Sequence, residues 1–306
     1  KPPGLVGTGS FNRRSGIVDR AHWGNGRIFC FARTMGLLLV SGLFLGACES
    51  ETWNRSELLN PAALTETNSD IARTFDLATI VLPRSKGQEP LVGKLSDKAV
   101  QEHLDGLLPG RRYPTVLYMH GCTGLGRLTP LLAFAKAGFV VFAPNSFARR
   151  FRPLQCRPSE QTGGENIFVF DFRLVEISYA LQRMAQLSWI NNRRLFLVGT
   201  SEGGVAAALY RGEEFNARII SQWTCHGAPF IHGLAAPEGE PVLAIVRSDD
   251  PWYQPDRTSG QLGDCSKFFK TPTRSKSLII DGGGAAHDIW GHAGAMDAAL
   301  EFLGKY

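Results

Sequence analysis

Ser201 stands in Gly199-Thr200-Ser201-Glu202-Gly203, a G-x-S-x-G that separates the apolar run LFLV at 195–198 from the small-residue run GGVAAAL at 203–209. A strand turning sharply into a helix here would expose the serine on a strained turn, and flanking glycines remove the side chains that would collide. A serine hydroxyl at its ordinary pKa is a weak nucleophile. The arrangement therefore calls for a general base, an acid to orient that base, and two N–H donors for a developing oxyanion. His287 in AAHD at 285–288 and Asp249 or Asp250 in RSDDPW at 247–252 can supply the first two. The donors fall to the backbone N–H of Glu202, next after the serine, and to that of Cys122 in the glycine-rich HGCTG at 120–124. Together these residues suit acyl transfer through a covalent intermediate, with His287 taking and returning the serine proton. Each residue also has a plainer reading. Short glycine motifs recur by chance, an aspartate after a strand caps turns, and histidines beside glycines are common in loops. Cys122 as nucleophile and His120 as base are the weaker chemical alternatives.

Strands and helices must carry these residues. Apolar or β-branched runs at 77–82, 91–95, 115–119, 139–143, 195–198, 219–223, 242–246 and 277–281 read as strands, most of them buried. Residues 130–137 and 294–303 read as helices, and 97–108 shows weak helical periodicity. Residues 168–189 read as a long amphipathic helix with Phe170, Leu174, Ile177, Leu181 and Met184 at three- and four-residue steps. Strands alternating with helices imply an α/β layering whose ligands bind at the carboxyl edge of the sheet. Ser201, the Asp249-Asp250 pair and His287 each follow a strand at that edge. Arg149, Arg150 and Arg152 follow the 139–143 strand, as a solvated loop or, for one of them, as a contact for an anionic substrate group.

The net charge of +5 does not point to nucleic acid. Lys1, Arg13, Arg14, Arg20, Arg27 and Arg33 face only Asp19 within residues 1–47, and the remainder of the chain is balanced. Arg27 and Arg33 precede the apolar run 35–47, which is too short to span a bilayer comfortably and suits a signal-peptide core. Leu45-Gly46-Ala47-Cys48 resembles a bacterial lipobox, so Cys48 is the expected lipidation site, with an ordinary secretory signal or an uncleaved anchor as alternatives. The expected organisation is a leader over 1–47, a polar tether over 48–76 and one α/β domain over 77–306, exported to the periplasm or cell envelope.

HGCTG at 120–124, APNSFAR at 143–149, GTSEGG at 199–204, RSDDPW at 247–252 and AAHD at 285–288 resemble the dienelactone hydrolase family of α/β-hydrolases, in particular its exported members. The resemblance runs from about residue 77 to the end. It implies an α/β-hydrolase fold, with an eight-stranded, mainly parallel sheet, helices on both faces and no large lid, acting on small esters or lactones. It favours Asp250 over Asp249 as the acid, and its substrate-carboxylate arginine matches Arg149. Founding members use a cysteine nucleophile where Ser201 stands here, which points to a general serine esterase rather than to dienelactone itself. In an oxidising compartment Cys122, Cys156, Cys225 and Cys265 form an even set with three possible pairings. Cys122 with Cys156 and Cys225 with Cys265 are expected, because the fold puts each pair of loops at one sheet edge. Four buried free thiols are the alternative.

No Cys or His spacing suits a metal, and neither metal nor organic cofactor is expected. The expected partner is a small ester or lactone, with membrane contact only through a lipid at Cys48, no nucleic acid, and a monomer or weak oligomer. Two rival functions fit the same pattern: a catalytically silent periplasmic binding or scaffold protein, and an acyltransferase.

Overall fold

Alternate residues of a strand face opposite sides of a sheet, and where both sets are apolar both faces must be covered. The computed structural model describes residues 69–306 except Leu154, Glu165, Ile167 and residues 227–230, 254–263 and 282–286. Its strands are β1 (Thr79–Leu82), β2 (Leu91–Gly93), β3 (Tyr113–Met119), β4 (Val140–Ala143), β5 (Cys156–Arg157), β6 (Thr162–Gly163), β7 (Ile190–Thr200), β8 (Ala217–Ser221), β9 (Val242–Arg247) and β10 (Lys276–Ile280). Its α-helices are α1 (Asp70–Asp76), α2 (Lys98–Asp105), α3 (Thr129–Lys136), α4 (Phe168–Met184), α5 (Glu202–Leu209) and α6 (Ala293–Gly304). Eight strands form one sheet in the order β2-β1-β4-β3-β7-β8-β9-β10, with β1 antiparallel to both neighbours and the remaining pairs parallel. This is the α/β-hydrolase fold. Among the described residues, the segment between β4 and α4 carries the β5–β6 hairpin and no α-helix.

Strand alternation divides the core. Val116, Tyr118, Val141, Phe196 and Val198 pack with Leu131 and Phe134 of α3 and Ala299 and Leu303 of α6. The intervening Leu117, Met119, Val140, Phe142 and Leu197 pack with Phe75, Val100, Ile177 and Ala206 of α1, α2, α4 and α5. The central strands of the sheet are therefore buried on both faces, and the carboxyl edge is left to the loops that follow β3, β7, β9 and β10.

Three features depart from the sequence reading. β7 starts at Ile190, because Ile190 pairs with Tyr113 before a register shift brings Leu195 opposite Thr115. α4 ends at Met184 rather than at residue 189. Residues 70–76, expected as the end of the tether, form α1, whose Ser69 cap accepts the Ala72 N–H at 3.2 Å. Phe75 is buried and stacks on Phe142 at 5.3 Å, so two turns of helix are held by tertiary packing that a short polar-rich segment does not announce. The leader, Cys48 and the tether to residue 68 lie outside the described residues. Among the described residues no helix is long and apolar enough to cross a membrane.

Disulfides join Cys122 to Cys156 and Cys225 to Cys265, with Cα separations of 6.1 and 5.3 Å. The first ties the loop after β3 to the β5–β6 hairpin. Closing loops of 34 and 40 residues, each stabilises the fold by about 3–4 kcal/mol on chain-entropy grounds.

Candidate active site

Ser201 adopts φ 56° and ψ −120°, a backbone region that costs a non-glycine residue about 1–3 kcal/mol. Its N–H donates to the Ser221 carbonyl at 2.8 Å, and its own carbonyl accepts the Val205 N–H at 3.0 Å. β7 and α5 meet so closely that a Cβ at Gly199 would strike the Gly203 carbonyl, and one at Gly203 the Met119 carbonyl. The two glycines of the motif are thus the condition for the turn that exposes Ser201.

His287 Nε2 lies 2.7 Å from Ser201 Oγ, while Nδ1 lies 2.8 Å from Asp250 Oδ2 and 3.0 Å from Oδ1. Asp250 is fully buried, and its Oδ1 also accepts the Trp252 N–H at 3.0 Å. A carboxylate can only accept, so Nδ1 carries the imidazole proton and Nε2 is free to accept from the serine hydroxyl. Asp249 faces away: both its oxygens accept from the Arg247 guanidinium, at 2.8 and 2.9 Å. That hydrogen bonding holds its carboxyl below the usual range. Of the two candidate acids, only Asp250 reaches His287. The rings of Trp252, the last residue of RSDDPW, and of Tyr253, which the sequence reading did not single out, flank the imidazole at 5.1 and 5.7 Å.

The HGCTG loop passes beside the serine, since a Cβ built at Gly121 would lie 3.4 Å from Ser201 Cβ. Cys122 lines the same cavities as Ser201, and its sulfur is engaged in the disulfide, so it can bring a backbone N–H but no thiolate. Glu202 opens α5, where the first N–H groups of a helix have no intrahelical acceptor. His120 does not serve the serine. Its Nδ1 donates to the Gly121 carbonyl at 2.8 Å and its Nε2 accepts the Ser146 N–H at 3.0 Å. Burial and the neighbouring Arg173 guanidinium push its pKa well below 6.5, which keeps it neutral and structural.

Behind Glu202 lies a buried charged layer. Arg152 donates to Glu202 Oε1, and Arg173 Nε sits 3.6 Å from the same oxygen. Arg173 also pairs with Glu176 at 3.0 Å and donates to the His120 carbonyl at 2.9 Å. Arg149 belongs to this layer: its Nε pairs with Glu176 at 2.9 Å and its Nη1 lies 3.7 Å from Asp70. It lines neither cavity at Ser201. The expectation that Arg149 binds a substrate carboxylate is corrected, because two protein carboxylates already engage its guanidinium beneath the site. Arg173 and Glu176 were legible in principle, as two opposite charges one turn apart on the buried face of α4.

A second support holds the elbow. Trp290 Nε1 donates to Thr200 Oγ1 at 2.7 Å, and Ser221 Oγ donates to the Gly199 carbonyl at 2.9 Å. Ser221 Oγ is then the acceptor for the Thr200 hydroxyl at 2.9 Å, and the Tyr118 hydroxyl donates to Thr200 at 2.9 Å. Burial pushes Tyr118 up to about 12, so its proton stays in place.

Two cavities meet at Ser201. One of about 530 Å³ is walled by Tyr118, Arg127, Gln222, His287 and Trp290, and one of about 290 Å³ by Phe170, Glu202, Val205, Trp223 and Tyr253, with Trp252 shared between them. Among the described residues no group of three His, Cys, Asp or Glu side chains is placed to hold a metal ion.

No family model matches the chain and no curated protein matches it. Among solved structures, the chain is similar to an esterase from Pyrobaculum calidifontis, with 15% identity over 65% of this chain and 78% of that one at a TM-score of 0.45. It is also similar to a candidate dienelactone hydrolase from Klebsiella pneumoniae subsp. pneumoniae, with 14% identity over 75% of this chain and 98% of that one at 0.43. A third is a phospholipase/carboxylesterase from Dyadobacter fermentans, with 15% identity over 65% of this chain and 93% of that one at 0.42.

Proposed function

We propose that the protein is a serine hydrolase of small carboxylic esters or lactones, related by its motifs to the exported dienelactone hydrolases. The observation that carries this reading is the unbroken chain Asp250–His287–Ser201, with contacts of 2.8 and 2.7 Å, beside two backbone segments that can donate N–H groups. Ser201 Oγ attacks the carbonyl carbon as its proton passes to His287 Nε2, and Asp250 stabilises the imidazolium and fixes its tautomer. The oxyanion is received by the N–H groups of Cys122 and Glu202. The imidazolium proton then goes to the departing alcohol oxygen. Water attacks the acyl-enzyme by the same route in reverse, releasing the acid and restoring Ser201.

A fluorophosphonate probe labels the wild type and fails to label Ser201→Ala, which turns over p-nitrophenyl acetate at background. A wild type that resists the probe while a control hydrolase reacts would return the protein to a silent binding role. The disulfides suit an oxidising compartment, and with the lipobox-like residues 45–48 they support an exported protein anchored through Cys48. Mass spectrometry of the membrane fraction then finds an acylated N-terminal Cys48, and an unmodified peptide running through residue 48 refutes the anchor.

A further inference from the structure

The chemistry of the triad assigns the two unequal cavities. His287 returns its proton to the oxygen of the departing alcohol, so that alcohol must lie on the histidine side of Ser201. His287 belongs to the wall of the 530 Å³ cavity and not to that of the 290 Å³ cavity. The smaller cavity, bounded by Glu202 and Val205 of α5, is therefore left for the acyl group.

Its wall selects by shape and by charge. Phe170, Trp223, Trp252 and Tyr253 contribute four aromatic side chains, and Val205 adds an aliphatic one. An acetyl group would leave most of this space to water held against apolar walls. Among the described residues its lining holds no Arg, Lys or His, and its one formal charge is the Glu202 carboxylate, 5% exposed. A carboxylate on the acyl group would be desolvated beside that like charge, with Arg152 and Arg173 already facing Glu202 from behind.

We propose that the protein selects esters of uncharged aromatic acids, a benzoyl-like acyl group occupying the cavity of Phe170, Val205 and Trp223 while the alcohol lies in the larger cavity. This rests on the ester-hydrolase reading and specifies its substrate.

The test compares kcat/KM for p-nitrophenyl acetate, benzoate and 4-carboxybenzoate, each divided by its own rate with hydroxide, in the wild type and in Val205→Phe. The wild type favours benzoate over acetate by about tenfold or more, within the range that apolar pockets give for an added apolar group. Benzoate likewise exceeds 4-carboxybenzoate by about tenfold or more, because the second must desolvate a carboxylate in a lining that holds no cation among the described residues. Val205→Phe, shown to be folded by circular dichroism and labelled by fluorophosphonate, lowers the benzoate-to-acetate ratio. If that variant does not fold, the wild-type ratios decide alone. Acetate equal to or above benzoate, 4-carboxybenzoate equal to benzoate, or a ratio unmoved in folded Val205→Phe each overturns the proposal while leaving the hydrolase reading intact. Absence of both turnover and labelling overturns the hydrolase reading, and this proposal with it.

Discussion

Replacing Asp250 by Asn tests the triad at the point where the geometry is most constrained. The carboxylate accepts on both sides, with Oδ2 taking the His287 Nδ1 proton at 2.8 Å and Oδ1 taking the Trp252 N–H at 3.0 Å. An Asn has one oxygen for these two donors. If its oxygen stays with Trp252, its NH₂ faces Nδ1, and the imidazole must move its proton to Nε2, where it can no longer accept from Ser201. If the amide flips, two donors face each other at Trp252 in a site with no solvent to relieve them. The first arrangement removes the productive tautomer, and the second keeps it only by burying two opposed donors, so the first is favoured; a wrong-tautomer triad loses about 10⁴ in kcat. Asp249→Asn weakens the pair between the half-exposed Asp249 and the buried Arg247 and leaves the Asp250–His287–Ser201 contacts in place, so kcat/KM stays within about twofold. The assay is p-nitrophenyl acetate hydrolysis, with circular dichroism to show that both variants fold. Loss below about tenfold in Asp250→Asn, or equal losses in the two variants, refutes the assignment of the acid.

The disulfide beside the oxyanion loop gives a second perturbation. Cys122→Ser with Cys156→Ser lowers stability by about 3 kcal/mol and lowers kcat by about tenfold or more as the Cys122 N–H loses its tether. Thermal melts and steady-state kinetics read both effects, and an unchanged kcat would show that the loop holds its place without the disulfide. His120 predicts a pH dependence. Its folded pKa lies below 6.5, so the unfolded chain binds the extra proton first and stability falls as pH drops through 6.5 toward the folded value, by at most about 1.4 kcal/mol per unit. A melting temperature that falls more steeply below pH 6.5 in the wild type than in His120→Gln supports this, and parallel curves refute it.

The fold was legible wherever burial acts on a continuous run. The strands at 115–119, 139–143 and 242–246 are apolar on both faces, and such runs read as parallel strands before any contact is known. Ser201 and its glycines were legible for a different reason: the turn is so tight that Gly199 and Gly203 have no substitute, and the constraint is written locally. What stayed hidden depends on partners far along the chain. α1 is a helix because Phe75 meets Phe142, and Arg149 is structural because Glu176 and Asp70 reach it; neither fact is visible from the segment itself. The resemblance that matched Arg149 to a substrate contact carried position without carrying surroundings.

Glu202 shows why surroundings decide the chemistry. A carboxylate directly after the nucleophile places negative charge beside the position where the oxyanion forms, and left alone in a buried site it would oppose that step. Arg152 and Arg173 face its Oε1, and Arg173 is held in turn by Glu176 and the His120 carbonyl. His120 must then be neutral, since a protonated imidazole would add a third positive charge next to Arg173 in a site that water does not reach. The charged layer is therefore one unit: it lets a glutamate occupy the start of α5, keeps the HGCTG loop pinned through His120, and leaves the lining of the smaller cavity without a cation among the described residues. The same pairing that offsets the Glu202 charge also engages Arg152 and Arg173, so the described lining of the smaller cavity offers no counter-charge to an acidic group.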